Sequence, residues 1–270
     1  MDLPRLQHDA ALLRRLHDRS RILVLANVWD VASAVVVEAA GFPALATASA
    51  GISAALGYRD GEQLSRGEML EAVARITRAV RVPVTADLEA GYGDPAGTVE
   101  AALQAGAVGM NLEDSSGGKL VAIEEQQAKI RAARAAADRL GVPFVINART
   151  DVYLLPGGAE RFAQAVERAR AYRSAGSDCS FVPGVIDAET IGRLVAAIEG
   201  PVNILARAGA PDVAALARLG VARVSTGPGL MRTALTAARR AVGELRDRGT
   251  YGFTEGNIPG PELDKLLQRE

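Results

Sequence analysis

Pro83-Val84-Thr85-Ala86-Asp87-Leu88-Glu89-Ala90-Gly91-Tyr92-Gly93 is the stretch on which the reading of this chain turns. A short β-branched run after a proline reads as a strand, and the glycine-rich segment behind it as the turn that ends it. Asp87 and Glu89 stand two residues apart at that end, so at strand spacing they point the same way. Two like charges aimed into one cleft repel unless something positive sits between them, and a hard divalent cation with oxygen ligands meets that need. The plainer alternative has one carboxylate capping the next helix and the other solvated.

Outward from this stretch the same arrangement recurs. An Ala/Arg/Glu-rich helix ends near a glycine, a natural helix stop, and a short apolar strand follows. Ala39-Ala40-Gly41 precedes Ala44–Thr47, Ala105-Gly106 precedes Gly109–Leu112, Ala175-Gly176 precedes Cys179–Val182, and Leu219-Gly220 precedes Arg223–Thr226. With Ile22–Ala26 in front and Val84–Asp87, Phe144–Ala148 and Val202–Ala206 between, eight strands alternate with helices expected from Val31, Arg66, Gly97, Ile123, Ala159, Asp187, Asp212 and Gly229. Alternation of this kind argues for a parallel sheet, and eight units over about 230 residues fit a closed (β/α)8 TIM-type barrel better than an open sheet. No G-x-G-x-x-G follows the first strand, where Asn27-Val28-Trp29-Asp30 stands instead. The expected organisation is one barrel domain over 1–270: a helical arm at 1–20, the barrel at 21–248 and a Gly/Pro-rich tail at 249–270 that ends in a short helix at Glu262–Leu267.

The 270 residues are 49% hydrophobic and 23% charged, ordinary for a soluble globule with room for a large core. A net charge of −1 without runs of like charge gives no footprint for nucleic acid or an anionic membrane. One cysteine, Cys179, excludes an internal disulfide and a cysteine-based zinc site. No apolar segment approaches the roughly 20 residues that span a bilayer, and the N-terminus lacks a secretory apolar region, so a cytoplasmic location is expected.

In a barrel, catalytic groups gather at the C-terminal ends of the strands. That filter selects Asn27, Trp29 and Asp30; Ser49 and Gly51; Asp87 and Glu89; Asn111, Glu113 and Asp114; Asn147, Arg149 and Asp151; and Ser225, Thr226 and Gly227. Both histidines, His8 and His17, lie in the arm, and none of the three lysines ends a strand, which disfavours a Schiff-base aldolase. Cys179 falls inside a strand and reads as core. What remains is electrostatic chemistry by a metal, an arginine and backbone amides. A runner-up is a metal-free enzyme that binds phosphate at Ser225–Gly229, with Asn203 and Arg207 contacting substrate. A third reading is a catalytically silent barrel that binds a small oxo acid.

Ser49-Ala50-Gly51-Ile52-Ser53-Ala54-Ala55-Leu56-Gly57-Tyr58-Arg59-Asp60, Asp87-Leu88-Glu89-Ala90-Gly91-Tyr92-Gly93, Asn111-Leu112-Glu113-Asp114 and Asn147-Ala148-Arg149-Thr150-Asp151, in that order, resemble the isocitrate lyase / phosphoenolpyruvate mutase family. The resemblance runs from about Ala26 to Arg246. It implies a barrel whose last helix is exchanged with a neighbouring subunit, in a homo-oligomer that is a dimer or a dimer of dimers. It implies Mg²⁺, with Mn²⁺ as the alternative, held by Asp87, with Glu89 and Glu113 acting mostly through waters. Ser49, Ala50 and Gly51 would cradle a substrate carboxylate, Arg149 would hold the substrate's charged end, and Asp60 would stand near the metal. Trp29 and Asn203 are further substrate-binding candidates, and Arg149, Asp60 and Glu113 are the catalytic ones.

Two departures bear on the reaction. The family's lyases carry a cysteine loop after the fourth strand, whereas this chain has Ser115-Ser116-Gly117-Gly118-Lys119-Leu120, with Gly117-Gly118 a candidate lid and Lys119 a residue that its closure would bring over the substrate. After the sixth strand stands Pro183-Gly184 in place of the lyases' Pro-Glu or the mutase's His-Ser pair. The expected function is a Mg-dependent lyase that cleaves a carbon–carbon bond in a small 2-oxo or 2-hydroxy carboxylic acid through an enolate. Phosphonomutase, carbon–phosphorus hydrolase and oxaloacetate-type decarboxylase activities are the family alternatives.

Overall fold

The computed structural model describes residues 1–268. Its helices are α1 (Leu3–Leu16), α2 (Val31–Ala39), α3 (Ser49–Ala55), α4 (Arg66–Ala79), α5 (Pro95–Gln104), α6 (Ile123–Arg139), α7 (Arg161–Ser174), α8 (Ala188–Ala197), α9 (Val213–Arg218), α10 (Gly229–Arg248) and α11 (Gly260–Leu267). Its strands are β1 (Leu23–Leu25), β2 (Asn27–Val28), β3 (Leu45–Thr47), β4 (Val84–Asp87), β5 (Gly109–Glu113), β6 (Ser115–Ser116), β7 (Lys119–Leu120), β8 (Val145–Arg149), β9 (Cys179–Phe181), β10 (Val202–Leu205) and β11 (Arg223–Ser225). Apart from the small β6–β7 hairpin, the strands form one parallel sheet in the order β1-β11-β10-β9-β8-β5-β4-β3-β2. β1 and β2 are two halves of one strand interrupted at Ala26, so the sheet has eight positions and curls into a (β/α)8 TIM-type barrel.

The first strand divides because its halves pair on different sides: Leu23–Leu25 run beside Arg223–Ser225, and Asn27-Val28 beside Ala46-Thr47. The Asn27 side chain bridges the two neighbours. Its Nδ2 donates to the Thr47 carbonyl at 2.7 Å, and its Oδ1 accepts from the amides of Thr226 and Gly227 at 2.8 and 2.9 Å.

Helix starts are set by side-chain caps. Asp30 with Ser33 and Ser65 with Glu68 form reciprocal capping boxes, and Asp94, Asp187 and Asp212 each cap the helix that follows. The arm helix α1 lies across the N-terminal end of the barrel and buries Leu6, Ala10 and Leu13. Gly109 makes room for it, since a Cβ there would stand 3.0 Å from the Leu13 side chain and 2.9 Å from the Val145 carbonyl. The Ser115–Leu120 segment is a tight hairpin whose two turn glycines have positive φ, 57° and 75°. Among the described residues no helix is long and apolar enough to cross a membrane.

Many TIM barrels fill their interior with branched apolar side chains. Here polar residues stand there among the apolar ones: Asn111, Asn147, Asn203, Ser225 and Arg223 are all buried. They form a hydrogen-bonded chain from the floor toward the mouth. Arg223 Nη2 donates to Asn111 Oδ1 (3.5 Å), Asn147 Nδ2 donates to the same oxygen (2.8 Å), and Asn111 Nδ2 then faces Asp87 Oδ1 (3.1 Å).

Candidate active site

Asp87, the last residue of β4, is held on both carboxylate oxygens. Asn111 donates to Oδ1, and the Ser49 hydroxyl and amide donate to Oδ2 at 2.9 and 3.4 Å. The Asp87 amide donates to Thr47 Oγ1, which ties the end of β4 to β3. Among the described residues no cationic side chain forms an ion pair with Asp87, although Asp60 shares its cavity. Burial first, and then the charge of Asp87, raise the Asp60 carboxyl above its usual range.

Glu89 is turned away from this point. Its φ of 51° swings the chain into a left-handed turn, and its buried carboxylate accepts from the Glu62 amide and from Tyr92 Oη (3.4 Å). Burial, reinforced by Asp60, Asp87 and Glu62, pushes it up to about 7 against the opposing Glu62 amide. Glu62 returns the contact by accepting the Tyr92 amide at 2.7 Å.

Arg149, at the end of β8, is clamped. Nη1 meets Glu113 at 2.7 Å, while Nε and Nη2 donate to the two oxygens of Asp151 at 2.6 and 3.1 Å. Asp151 is fixed in turn: its carboxylate accepts from the Ser115 hydroxyl, and its amide donates to the fully buried Asp114 at 2.9 Å. Asp114 also takes Arg168 and the Tyr172 hydroxyl. Burial raises Glu113 to about 8 although Arg149 opposes it, and the surrounding carboxylates hold the Arg149 guanidinium above its ordinary range. Arg149 lines the cavity with this clamped guanidinium.

A cavity of about 600 Å³ occupies the mouth, with Asp87, Asp60, Asn111, Ser49, Ala50 and Arg149 on one side and Leu205, Arg207, Thr226 and Arg232 on the other. Several residues expected at the site are placed elsewhere. Asn203 is fully buried inside the barrel, exchanging hydrogen bonds with Ser225, because a strand residue one level too deep points at the core rather than at the mouth. Trp29 does not line the cavity. It packs under α3, where Gly51 allows contact: a Cβ at residue 51 would stand 2.7 Å from the Trp29 Cβ.

Residues 49–51 are the first turn of α3 rather than a loop. The Gly51 amide bonds to the Ala48 carbonyl and the Ser49 amide faces Asp87, which leaves the Ala50 amide free toward a ligand. Asp87, Glu89 and Glu113 do not close on one point, and among the described residues no three acidic, histidine or cysteine side chains do. Glu89 and Glu113 are spent on Glu62 and Arg149.

Lys119 is exposed on its hairpin and does not line the cavity. At the end of β11 the amides of Thr226 and Gly227 are taken by Asn27, and that of Gly229 by the Thr226 carbonyl, so these three amides of the runner-up reading are already committed. Cys179 is buried and its thiol is pushed up to about 12 by that burial, as a core residue should be.

Sequence reasoning missed Glu62 as the brace of Glu89, and it missed Arg232. Glu62 follows Gly61 in a segment where both residues adopt positive φ, a conformation that leaves no periodic signal. Arg232 lies on a helix read only as a barrel element.

Residues 13–246 match the family model described as phosphoenolpyruvate phosphomutase. An uncharacterized protein of Mycobacterium tuberculosis is 37% identical over 86% of this chain and 88% of its own length. An oxaloacetate decarboxylase of Paraburkholderia xenovorans is 32% identical over 95% and 87%. A protein from Burkholderia cenocepacia J2315, whose crystal structure carries a provisional lyase/mutase name, superposes with a TM-score of 0.90 at 38% identity over 97% and 96% of the two chains.

Proposed function

The chain belongs to the isocitrate lyase / phosphoenolpyruvate mutase family, and from that premise we propose that it is a divalent-metal-dependent lyase. Its substrate would be a small 2-oxo or 2-hydroxy carboxylic acid, cleaved at a carbon–carbon bond through an enolate. The observation that carries this reading is Asp87: a carboxylate oriented on both oxygens by neutral donors, facing a cavity, with Asp60 beside it and no ion-pair partner among the described residues. Such hard oxygen donors with uncompensated charge fit Mg²⁺ or Mn²⁺, with Asp87 as the direct ligand and Asp60, Glu89 and Glu113 at one remove. When bound, the ion would supply the positive charge against which electrons collect on the substrate's oxo oxygen.

The remaining work falls to the chain. Ser49 and Asn111 keep the Asp87 oxygens in register, so the ligand geometry is set before substrate arrives. The Ala50 amide and Arg149 would take carboxylate oxygens, and Glu113 and Asp151 prevent that guanidinium from swinging. Decarboxylation is the second reading. Among the described residues no cysteine, histidine or lysine lines the mouth, and loss of carbon dioxide from a 2-oxo diacid requires no proton transfer to a departing fragment. The similarity to an oxaloacetate decarboxylase agrees with it.

The test is melting and turnover with a panel of 2-oxo and 2-hydroxy acids. Pyruvate should raise the melting temperature only with Mg²⁺ or Mn²⁺, and Asp87→Ala should abolish both that shift and any metal-dependent turnover. An acid-induced shift that survives EDTA would overturn the proposal, and saturable binding without product across the panel would leave the silent barrel.

Assembly belongs to the same proposal. Met231, Leu235, Ala238, Val242 and Leu245 form a stripe along α10, yet only Met231 is buried, while Leu235 and Val242 are 59% and 62% exposed. A stripe of that spacing is the face a helix presents to a partner, which suits exchange of α10 between subunits. Sedimentation at micromolar concentration should give a dimer or tetramer, and Leu235→Glu with Val242→Glu should shift it to monomer; a monomeric wild type would rule the exchange out.

A further inference from the structure

A second cavity, of about 410 Å³, lies at the N-terminal end of the barrel. Arg14, Arg15, His17 and Asp18, from the last turn of α1 and the residues behind it, form one wall. Arg173, at the end of α7, and Ser177, Asp178 and Pro201, which precede β9 and β10, form the other. Strands start at this cavity and end at the mouth, so the depth of the barrel separates the two. An occupant here is a different ligand from the acid at Asp87. The negative groups of the cavity are already engaged. The Asp178 carboxylate pairs with Arg14 at 2.9 Å and with Arg134 of α6, and it accepts the Ile146 amide at 2.8 Å. Asp18 accepts the Ser20 amide at 2.9 Å. His17 is held between the Leu13 carbonyl and Arg223 and adds no charge. Among the described residues neither Arg15 nor Arg173 has an ion-pair partner, and Arg173 Nη1 reaches only the Asp178 carbonyl, at 3.4 Å. Arg14, Arg15, Arg134 and Arg173 thus stand against two carboxylates, which leaves an excess of two positive charges. Ser177 supplies an independent observation. It is 7% exposed, and its hydroxyl is buried without a hydrogen-bond partner among the described residues, a state in which few buried hydroxyls are left. Of the side chains so left, it is the one that lines this cavity.

We propose that this cavity binds a phosphate group, with Arg15 and Arg173 as its charged donors and the Ser177 hydroxyl as its neutral one. A phosphate dianion offsets the excess of two charges and gives the Ser177 hydroxyl the acceptor that the fold does not. Arginine suits the task because its planar fork meets phosphate oxygens in pairs. The volume is that of a site for a small organic molecule and exceeds what a bare phosphate ion fills, so a small phosphate monoester is the ligand it fits best. Inorganic phosphate presents the same oxygens without the organic body.

The experiment is calorimetric titration with glycerol 3-phosphate and with inorganic phosphate, in EDTA so that no metal at the mouth contributes, and at about pH 8, where both are dianions. Wild type should bind glycerol 3-phosphate saturably at one site per chain, and more tightly than inorganic phosphate; the reverse order would identify the free ion as the ligand of the same site. Arg15→Gln with Arg173→Gln should weaken binding at least about tenfold, the scale of one charge-assisted contact. Ser177→Ala should weaken it about threefold without lowering the melting temperature of the unliganded protein, since that hydroxyl has no partner to lose. Arg207→Gln with Arg232→Gln, at the mouth, should leave it unchanged. Absence of saturable binding in wild type, or binding that survives the Arg15 and Arg173 substitutions and is lost with those at the mouth, would overturn the site. An Arg15 and Arg173 variant that melts with wild type but does not bind supports it, and where that variant melts lower, the Ser177→Ala affinity decides.

Discussion

Two guanidiniums stand in the same barrel and are held in opposite ways. Arg149, near the mouth, is ion-paired to Glu113 and forked onto Asp151, and carboxylates drive its proton affinity up. Arg223, fully buried below it, meets no carboxylate among the described residues. Its contacts are Ser225 Oγ at 3.2 Å, His17 Nε2 at 3.4 Å and Asn111 Oδ1 at 3.5 Å, and burial pulls it down to about 10. The mouth fixes a charge by opposing it with rigid charges. The floor tolerates one by spreading it over neutral dipoles that are loosely placed and cost little to disturb. Substitution at the two sites should therefore report on different physics.

The largest effect is expected at the mouth. Arg149→Met leaves Glu113 and Asp151 facing each other with no cation between them, and breaking a buried pair by removing one partner costs about 3 to 5 kcal/mol. Glu113, already raised to about 8, relieves part of this by holding a proton, which places the expectation near about 3 kcal/mol in urea unfolding at neutral pH. A loss under about 1 kcal/mol would mean that Glu113 and Asp151 do not depend on the guanidinium.

How far this contrast was legible in the sequence differs between its halves. The mouth is written in short strand-end patterns, so Val84–Asp87 and Arg223–Ser225 agree with the observed strands and the helices start at Arg66 and Ile123 as expected. The eight-unit alternation likewise carried the barrel. Depth along the barrel axis is not encoded by a period of two, so the pattern that puts Asn203 at the mouth serves equally for the core position it holds, and nothing in it marks Arg223 as a buried charge. The break at Ala26 left no mark either, since Ile22–Ala26 reads as one strand that ends there, whereas the chain pairs on to Val28 and only the different partners of its halves divide it. Arg207 and Arg232 come from a loop and a helix, and only the closure of the ring brings both to one cavity.

The floor makes the next prediction, through His17. Its Nδ1 lies 2.8 Å from the Leu13 carbonyl and so carries the proton, which leaves Nε2 as the acceptor for Arg223. Burial first, then Arg223, lower His17 from 6.5 to about 4, so the folded protein keeps it neutral where the unfolded chain protonates. A folded value below the unfolded one means that stability is intact above pH 6.5 and is lost as pH falls toward 4. The full difference is worth roughly 3 kcal/mol. His17→Gln retains an acceptor for Arg223 and should flatten that part of the stability profile relative to wild type. Parallel wild-type and variant profiles between pH 6.5 and 4 would show that His17 is not held neutral.

The smallest effect is expected at Arg223 itself, although it is the largest fully buried side chain. Arg223→Met removes a charge that no carboxylate needs. Ser225 keeps Asn203 and Asn111 keeps Asn147, so among its partners only His17 Nε2 loses its donor. The space vacated by the guanidinium is lined by these polar atoms and suits a bridging water. Replacing an unneutralised buried charge with an apolar side chain of similar length is often neutral or stabilising, so urea unfolding should change by less than about 1 kcal/mol in either direction. The same Arg-to-Met exchange is then cheap at the floor and costly at the mouth. A loss at Arg223 equal to that at Arg149 would mean that the floor, too, depends on an opposing charge.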